Sequence, residues 1–233
     1  MNTPEIITVN RGPAPLVIQV RGDAAAFNRP EFRSERVTYP VMTPTAAVGI
    51  LSAIYWHPQV WWQPTRIEVL APITEWSLTR NETSHLVGVK DALAGETINT
   101  ATPKNRKQRS SLCLRDVHYR IHAQIHAFPE AGHQLAAYRD MFRRRVNKGA
   151  CFQQPFLGVR EFPAIITNAD DTPPIDLTQN LGLMLHSIRY ETTPVYDWFN
   201  ATLTNGAMDI PLHGVNGQRV GIVGMDELAK VPA

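Results

Sequence analysis

The sequence predicts an α+β fold, and three observations carry that expectation. The chain has 233 residues, 43% of them hydrophobic and 19% charged, enough to bury one large core or a core with an appendage. Strand-like and helix-like periodicities alternate over its first two thirds. A long polar stretch then separates a strand–helix–strand half from a second strand–helix–strand half. That order is the split βαβ pattern of a ferredoxin-like (RRM-like) domain. Such a domain leaves one sheet face open, a face on which RNA is commonly bound, although the fold hosts many unrelated functions.

The elements follow in order. Leu16 to Gly22 (LVIQVRG) alternates apolar and polar residues and reads as the first strand. An arginine-rich linker with Arg29, Arg33 and Arg36 follows and closes in a short extended piece. Thr43-Pro44 is a helix start, a hydroxyl N-cap followed by proline in the first turn. Ala47, Ile50, Leu51 and Ile54 then keep helical spacing until Pro58 forbids continuation, which puts Tyr55 and Trp56 at the helix C-terminus. Arg66 to Pro72 is a second strand. Thr79 to Ser111 is a polar stretch long enough to be functional or an extended basic finger.

The segment LCLRDVHYRIHAQIHAF carries His118, His122 and His126 four residues apart. Its apolar residues alternate strictly, which is strand periodicity, and histidines four apart on a strand are ~13 Å apart, too far to share a metal. They are expected on the solvent or RNA face of a half-buried strand. Pro129 to Lys148 reads as a second helix, with Leu135, Tyr138, Met141, Phe142 and Val146 on one face and Gly149 as its stop. The segment from Cys151 to Thr167 carries a further strand, and Pro173-Pro174 marks a boundary. Beyond it lie LGLMLHSIRYE, a short helix expected around Tyr196 to Leu203, a Gly206 stop and two short strand candidates.

Net charge is only +2, but it is unevenly distributed. Lys104, Arg106, Lys107 and Arg109 fall in KNRKQR, which holds no acid. Arg139, Arg143, Arg144, Arg145 and Lys148 face only Asp140. The remainder of the chain is net acidic, so the clusters form an electrostatic footprint for phosphates. The triple arginine spans most of the helix circumference, so at least one arginine projects away from the core.

No phosphate-binding loop, dinucleotide fingerprint, nucleophile elbow or CxxC pair occurs. Acidic residues are scattered rather than grouped for two-metal chemistry, so any RNA cleavage is expected without a metal or cofactor. It then needs a base for the ribose 2′-OH, an acid for the 5′-oxygen and cations on the phosphate. Cys113 and Cys151 make no disulfide framework, so a reducing cytoplasm is the expected compartment. The segment MNTPEIITVN does not read as a signal peptide, and the apolar run from Ala46 to Trp56 is too short to span a membrane.

Three strings occurring in order resemble one family: VRGDAAAFNRPEFRSERVTYPVMTPTAAVGILSAIYWHP, RKQRSSLCLRDVHYRIHA and FRRRVNKGACFQQPFLGVREFPA. They resemble the Cas-five family of CRISPR effector complexes, in its subtype I-C form. The resemblance implies a ferredoxin-like domain at residues 13–168, a thumb-like insertion at about 79–111, and a small β-rich C-terminal domain at 169–233. It implies binding of the 5′ repeat handle of CRISPR RNA, and cleavage of the precursor at its repeat hairpin. It also implies as partners the backbone and large subunits of a type I interference complex, with target DNA touched indirectly.

The family's catalytic tyrosine matches Tyr55. Its lysine–histidine pair falls on Ala137 and Tyr138, a departure from the pattern. Either His133 or Tyr138, the latter with Arg139, takes that role, or the chain is a non-catalytic cap of the handle. The resemblance assigns Lys104, Arg106, Lys107 and Arg109 to the handle or the backbone subunit. It assigns Arg143, Arg144, Arg145 and Lys148 to repeat RNA, and Arg29, Arg33 and Arg36 to the handle or the large subunit.

Overall fold

One 22-residue strand, β5 (Arg106–Ala127), organises the molecule by pairing with four others. The computed structural model describes residues 14–32, 35–83, 88–95, 105–129, 131–190 and 192–216. The C-terminal half of β5 lies between β1 (Leu16–Ala25) and β3 (Val60–Val69), antiparallel to both, and β6 (Ile165–Asn168) adds to the far side of β1. The resulting order is β6-β1-β5-β3, with α1 (Pro44–Ile54) connecting β1 to β3 and α3 (Leu135–Lys148) connecting β5 to β6. The N-terminal half of β5 leaves this body and pairs with β4 (Thr74–Thr83) from Arg106↔Thr83 to Arg115↔Thr74. Beside it, β2 (Arg36–Val37) adds a short parallel pairing.

Both helices cover one face of the sheet. Ile18, Val20, Ile67, Val69, Tyr119, Ile121 and Ile125 meet Ile50, Leu51 and Ile54 of α1, and Tyr138 and Phe142 of α3, in one core. Burying each large aliphatic side chain contributes about 1.5–3 kcal/mol. Thr43 caps α1 as its sequence predicts, its hydroxyl accepting the Ala46 N–H at 3.2 Å. Gly149 ends α3 at φ +63°, a conformation that glycine adopts without strain.

The opposite face carries Gln19, His118, Arg120, His122, His126, Gln63, Arg66 and Glu68 in register. The three histidines lie on β5, half-buried, as their alternation predicts. This face is partly roofed, because Arg120 donates to the carbonyls of Asp170 and Thr172 while Gln19 donates to Asp170. His122 lies 3.2 Å from Glu68, and His126 stacks on Trp61 at 4.2 Å.

A second sheet, β10 (Val215–Asn216), β8 (Val195–Leu203) and β7 (Gln179–Arg189), packs its Met184, Leu185, Trp198 and Leu203 into the same core. Between β8 and β10, β9 (Ala207–Asp209) returns to pair with β3.

Four sequence expectations change. The helix expected around Tyr196 to Leu203 is strand β8: Phe199, Ala201 and Leu203 are buried while Asn200 and Thr202 are exposed, a period of two. The stretch Thr79 to Ser111 begins and ends in the β4–β5 ribbon, with the single-turn α2 (Val89–Leu93) between the strands. β3 starts six residues before the expected Arg66, and a register shift between Pro64 and Arg66 accommodates the proline. Helix α3 starts at Leu135 instead of Pro129, and the turn before it is held by the Gly132 N–H donating to the Gln59 side chain at 3.1 Å.

Candidate functional site

The C-terminal end of α1 and the exposed side of α3 meet at a cluster of aromatic and basic side chains. Tyr55 is the C-cap of α1, where the chain turns extended at φ −141° and its N–H still reaches the Leu51 carbonyl. Its hydroxyl donates weakly to the Met141 sulfur at 3.7 Å, and the Arg145 guanidinium lies 5.3 Å from the ring centre. Arg145 also donates to the Ile54 carbonyl at 3.0 Å, tying α3 to an orphan carbonyl of α1. Tyr55 is only 4% exposed, so it reaches a substrate atom only after Met141 or Arg145 gives way.

Burial raises the Tyr55 phenol above its ordinary value and nearby Tyr138 raises it further, while Arg145 pulls the other way. The phenol is therefore protonated at neutral pH, and in proton transfer it serves as a donor rather than a base.

Tyr138 is fully buried, with its hydroxyl donating to Gln59 Oε1 at 2.9 Å. Two imidazoles flank its ring: His57 at 5.3 Å between centres and His133 at 5.7 Å. His133 sits on the exposed turn before α3, and His57 in the loop after α1. The Gln59 N–H donates to His57 Nδ1 at 3.2 Å, which leaves the proton of a neutral His57 on Nε2. Tyr55, His133 and Tyr138 are thus brought to one region, with Tyr138 as a buried support rather than an accessible group.

The cations divide by environment. Arg144 and Lys148 are exposed on the last two turns of α3, and Arg143 pairs with Asp140 at 3.0 Å. Arg139 is buried and donates to the Ala14 carbonyl, so it is structural. Arg106 and Lys107 are exposed on the ribbon, opposite Thr83 and Glu82, whereas Arg109 pairs with Glu82 at 2.9 Å. Arg29 lies 4.5 Å from the Tyr39 ring centre, and Arg36 is 3.7 Å from Glu161. Arg33 and Lys104 lie outside the described residues. Among the described residues, no group of three or more His, Cys, Asp or Glu side chains is placed to hold a metal ion.

The family model described as CRISPR-associated protein (Cas_Cas5) matches residues 15–212. The chain belongs to that family. It is 40% identical over 210 residues to "CRISPR pre-crRNA endoribonuclease Cas5d" of Mannheimia succiniciproducens, covering 83% of this chain and 93% of that protein. It is 40% identical over 182 residues to the Thermus thermophilus protein of the same name, covering 78% and 76%. A solved structure described as a CRISPR-associated protein is similar in fold, with a TM-score of 0.63 at 21% identity over 87% of this chain and 96% of that one.

In this Cas5-family chain, His57 and Gln59 join the cluster without a sequence pattern that marks them. The available signal is local: HPQ directly follows Tyr55-Trp56, and Pro58 by itself reads as a helix stop. The convergence of His57, Gln59, His133 and Tyr138 joins positions about 80 residues apart, which no spacing rule shows.

Proposed function

We propose that this chain binds the repeat-derived part of CRISPR RNA and cuts its precursor by acid–base chemistry. The observation that carries the reading is that His57 and His133 flank the ring of Tyr138, close to the Tyr55 phenol and its Arg145 neighbour, while the exposed cations Arg144 and Lys148 lie further along the same helix α3. An imidazole takes the ribose 2′-OH proton, the 2′-oxygen bonds to phosphorus, and the P–O5′ bond breaks. A donor such as the Tyr55 phenol protonates the leaving oxygen. The products carry a 2′,3′-cyclic phosphate and a 5′-hydroxyl. Arg144, Arg145 and Lys148 supply positive charge for the phosphate. Relatives named as pre-crRNA endoribonucleases at 40% identity support the reading.

The finer architecture in this proposal is a ferredoxin-like body at residues 13–168, a thumb formed by the β4–β5 ribbon, and a β-rich unit from residue 169. The β6-β1-β5-β3 order with two connecting helices supports the first of these. The proposed partners are the backbone and large subunits of a subtype I-C interference complex in the cytoplasm, with target DNA reached through them. Among the described residues, no helix is long and apolar enough to cross a membrane.

A second reading, a cap of the 5′ handle that does not cut, is favoured by one observation: Tyr138 occupies a position where the family's pair is expected and is wholly buried. Incubating the protein with a labelled repeat hairpin in EDTA separates the two. A single cut leaving a cyclic phosphate supports the enzyme, and tight repeat-specific binding without a cut supports the cap.

A further inference from the structure

We infer that Trp56 and Phe152 form a stacking platform for an unpaired base of the bound RNA, next to the Tyr55 site. The inference deepens the RNA-binding reading above and rests on it. The two rings stack on each other, 5.7 Å between centres at 28°, yet Trp56 is 54% and Phe152 58% exposed. Each is a large apolar side chain that burial would stabilise, and both are held out by the backbone.

The hold is specific. The Phe152 N–H donates to the Ala53 carbonyl at 2.8 Å and to the Ile54 carbonyl at 3.3 Å, and Gln153 N–H donates to Ala53 at 3.0 Å. These bonds use the carbonyls that the end of α1 leaves unpaired. The segment after α3 is thereby clamped against the end of α1, where Trp56 leaves the helix. The backbone that carries the pair is preorganised, which lowers the ordering cost of binding.

The surroundings select the occupant. Arg143 is paired with Asp140, but residues 144 to 152 contain Arg144, Arg145 and Lys148 and no acid, and residues 50 to 60 contain no acid. Exposed aromatic faces beside unopposed cations are what single-stranded nucleic acid uses: bases stack while cations track the backbone. Trp56 directly follows Tyr55, so the stacked base belongs to a nucleotide near the phosphate presented to that tyrosine.

The test uses the full chain and a repeat hairpin with single-stranded flanks, titrated at several salt concentrations. Trp56→Ala and Phe152→Ala should each weaken binding about fivefold to hundredfold. The salt dependence should stay unchanged, because no phosphate contact is lost. Trp56→Phe should keep most of the affinity. An abasic nucleotide at one flanking position should weaken the wild type by a similar factor and add little to Trp56→Ala. Both rings are more than half exposed, so melting temperatures should shift little and report that the variants fold. Wild-type affinity in both alanine variants would overturn the platform while leaving RNA binding intact. If those variants instead lost a co-purifying protein subunit, the face would be a protein-docking surface. A wild type that ignores the repeat RNA would remove both readings at once.

Discussion

Replacing Tyr55 with phenylalanine separates chemistry from architecture unusually well. The ring stays, so Arg145 keeps its contact over it and its hydrogen bond to Ile54. Only the hydroxyl is lost, and among the described residues its hydrogen-bond partner is the Met141 sulfur at 3.7 Å. Losing so weak a bond costs under about 1 kcal/mol, which for a chain of this size lowers the melting temperature by at most about 4 °C. Loss of a proton-transferring group is a far larger effect, about 10²–10⁴ in rate, or roughly 3–5 kcal/mol in the barrier. The assay is single-turnover cleavage of a 5′-labelled repeat hairpin under saturating protein in EDTA, with binding measured in parallel. The expected result is a rate drop of at least a hundredfold with affinity within about twofold and a nearly unchanged melting temperature. Cleavage at the wild-type rate would refute the donor role, and a large loss of stability would refute the weak-bond reading.

Other outcomes follow from neighbouring features. Arg144→Gln should weaken RNA binding and lower its log–log salt slope by about 0.7 without moving the melting temperature, since Arg144 is exposed. Arg145→Gln should in addition lower the melting temperature, because it removes the tie to the Ile54 carbonyl; equal thermal effects of the two would disprove that tie. Burial lowers the imidazoles of His118, His122 and His126 below the ordinary value of 6.5, with Glu68 partly opposing this at His122. The unfolded chain therefore takes up protons first on acidification, so their contribution to stability is full above about pH 6.5 and is lost below it. Calorimetry should show the melting temperature falling between pH 7.5 and 5.5, and a flat profile would count against it. Gly158→Ala forces a side chain into φ +86° with its Cβ 2.1 Å from the Ala26 carbonyl oxygen. Roughly 2–5 kcal/mol should be lost, visible as a melting temperature at least about 5 °C lower, and a shift under 2 °C would contradict the clash.

What the sequence made legible was local chemistry. Thr43-Pro44, the Ile50–Ile54 spacing and Gly149 each act within a turn or two, and the structure uses them as read. The alternation around His118 to His126 likewise declared a strand, because one face of β5 is buried under the helices. The β4–β5 ribbon was not legible, since its largely exposed strands are specified by each other across the chain. β8 was misread because the segment around Tyr196 to Leu203 has no breaker, and only pairing with β7 and β10 decides its form. At the candidate site, Tyr55 was placed correctly by its helix end. Tyr138 is buried on the apolar face of α3, as its helical spacing predicts, whereas the flanking of its ring by His57 depends on tertiary closure.

The long central strand also sets the order in which the protein can be made. β1 pairs with residues about 100 positions later, Leu16 with Ala123. At a synthesis rate of about 5–20 residues per second, the apolar LVIQV segment waits roughly 5–20 s for its partner to emerge from the ribosome. During that interval it is an unpaired, β-prone stretch open to other nascent chains. A transcript cut short before β5 yields a product that cannot satisfy its own first strand, and such fragments should be found in the insoluble fraction.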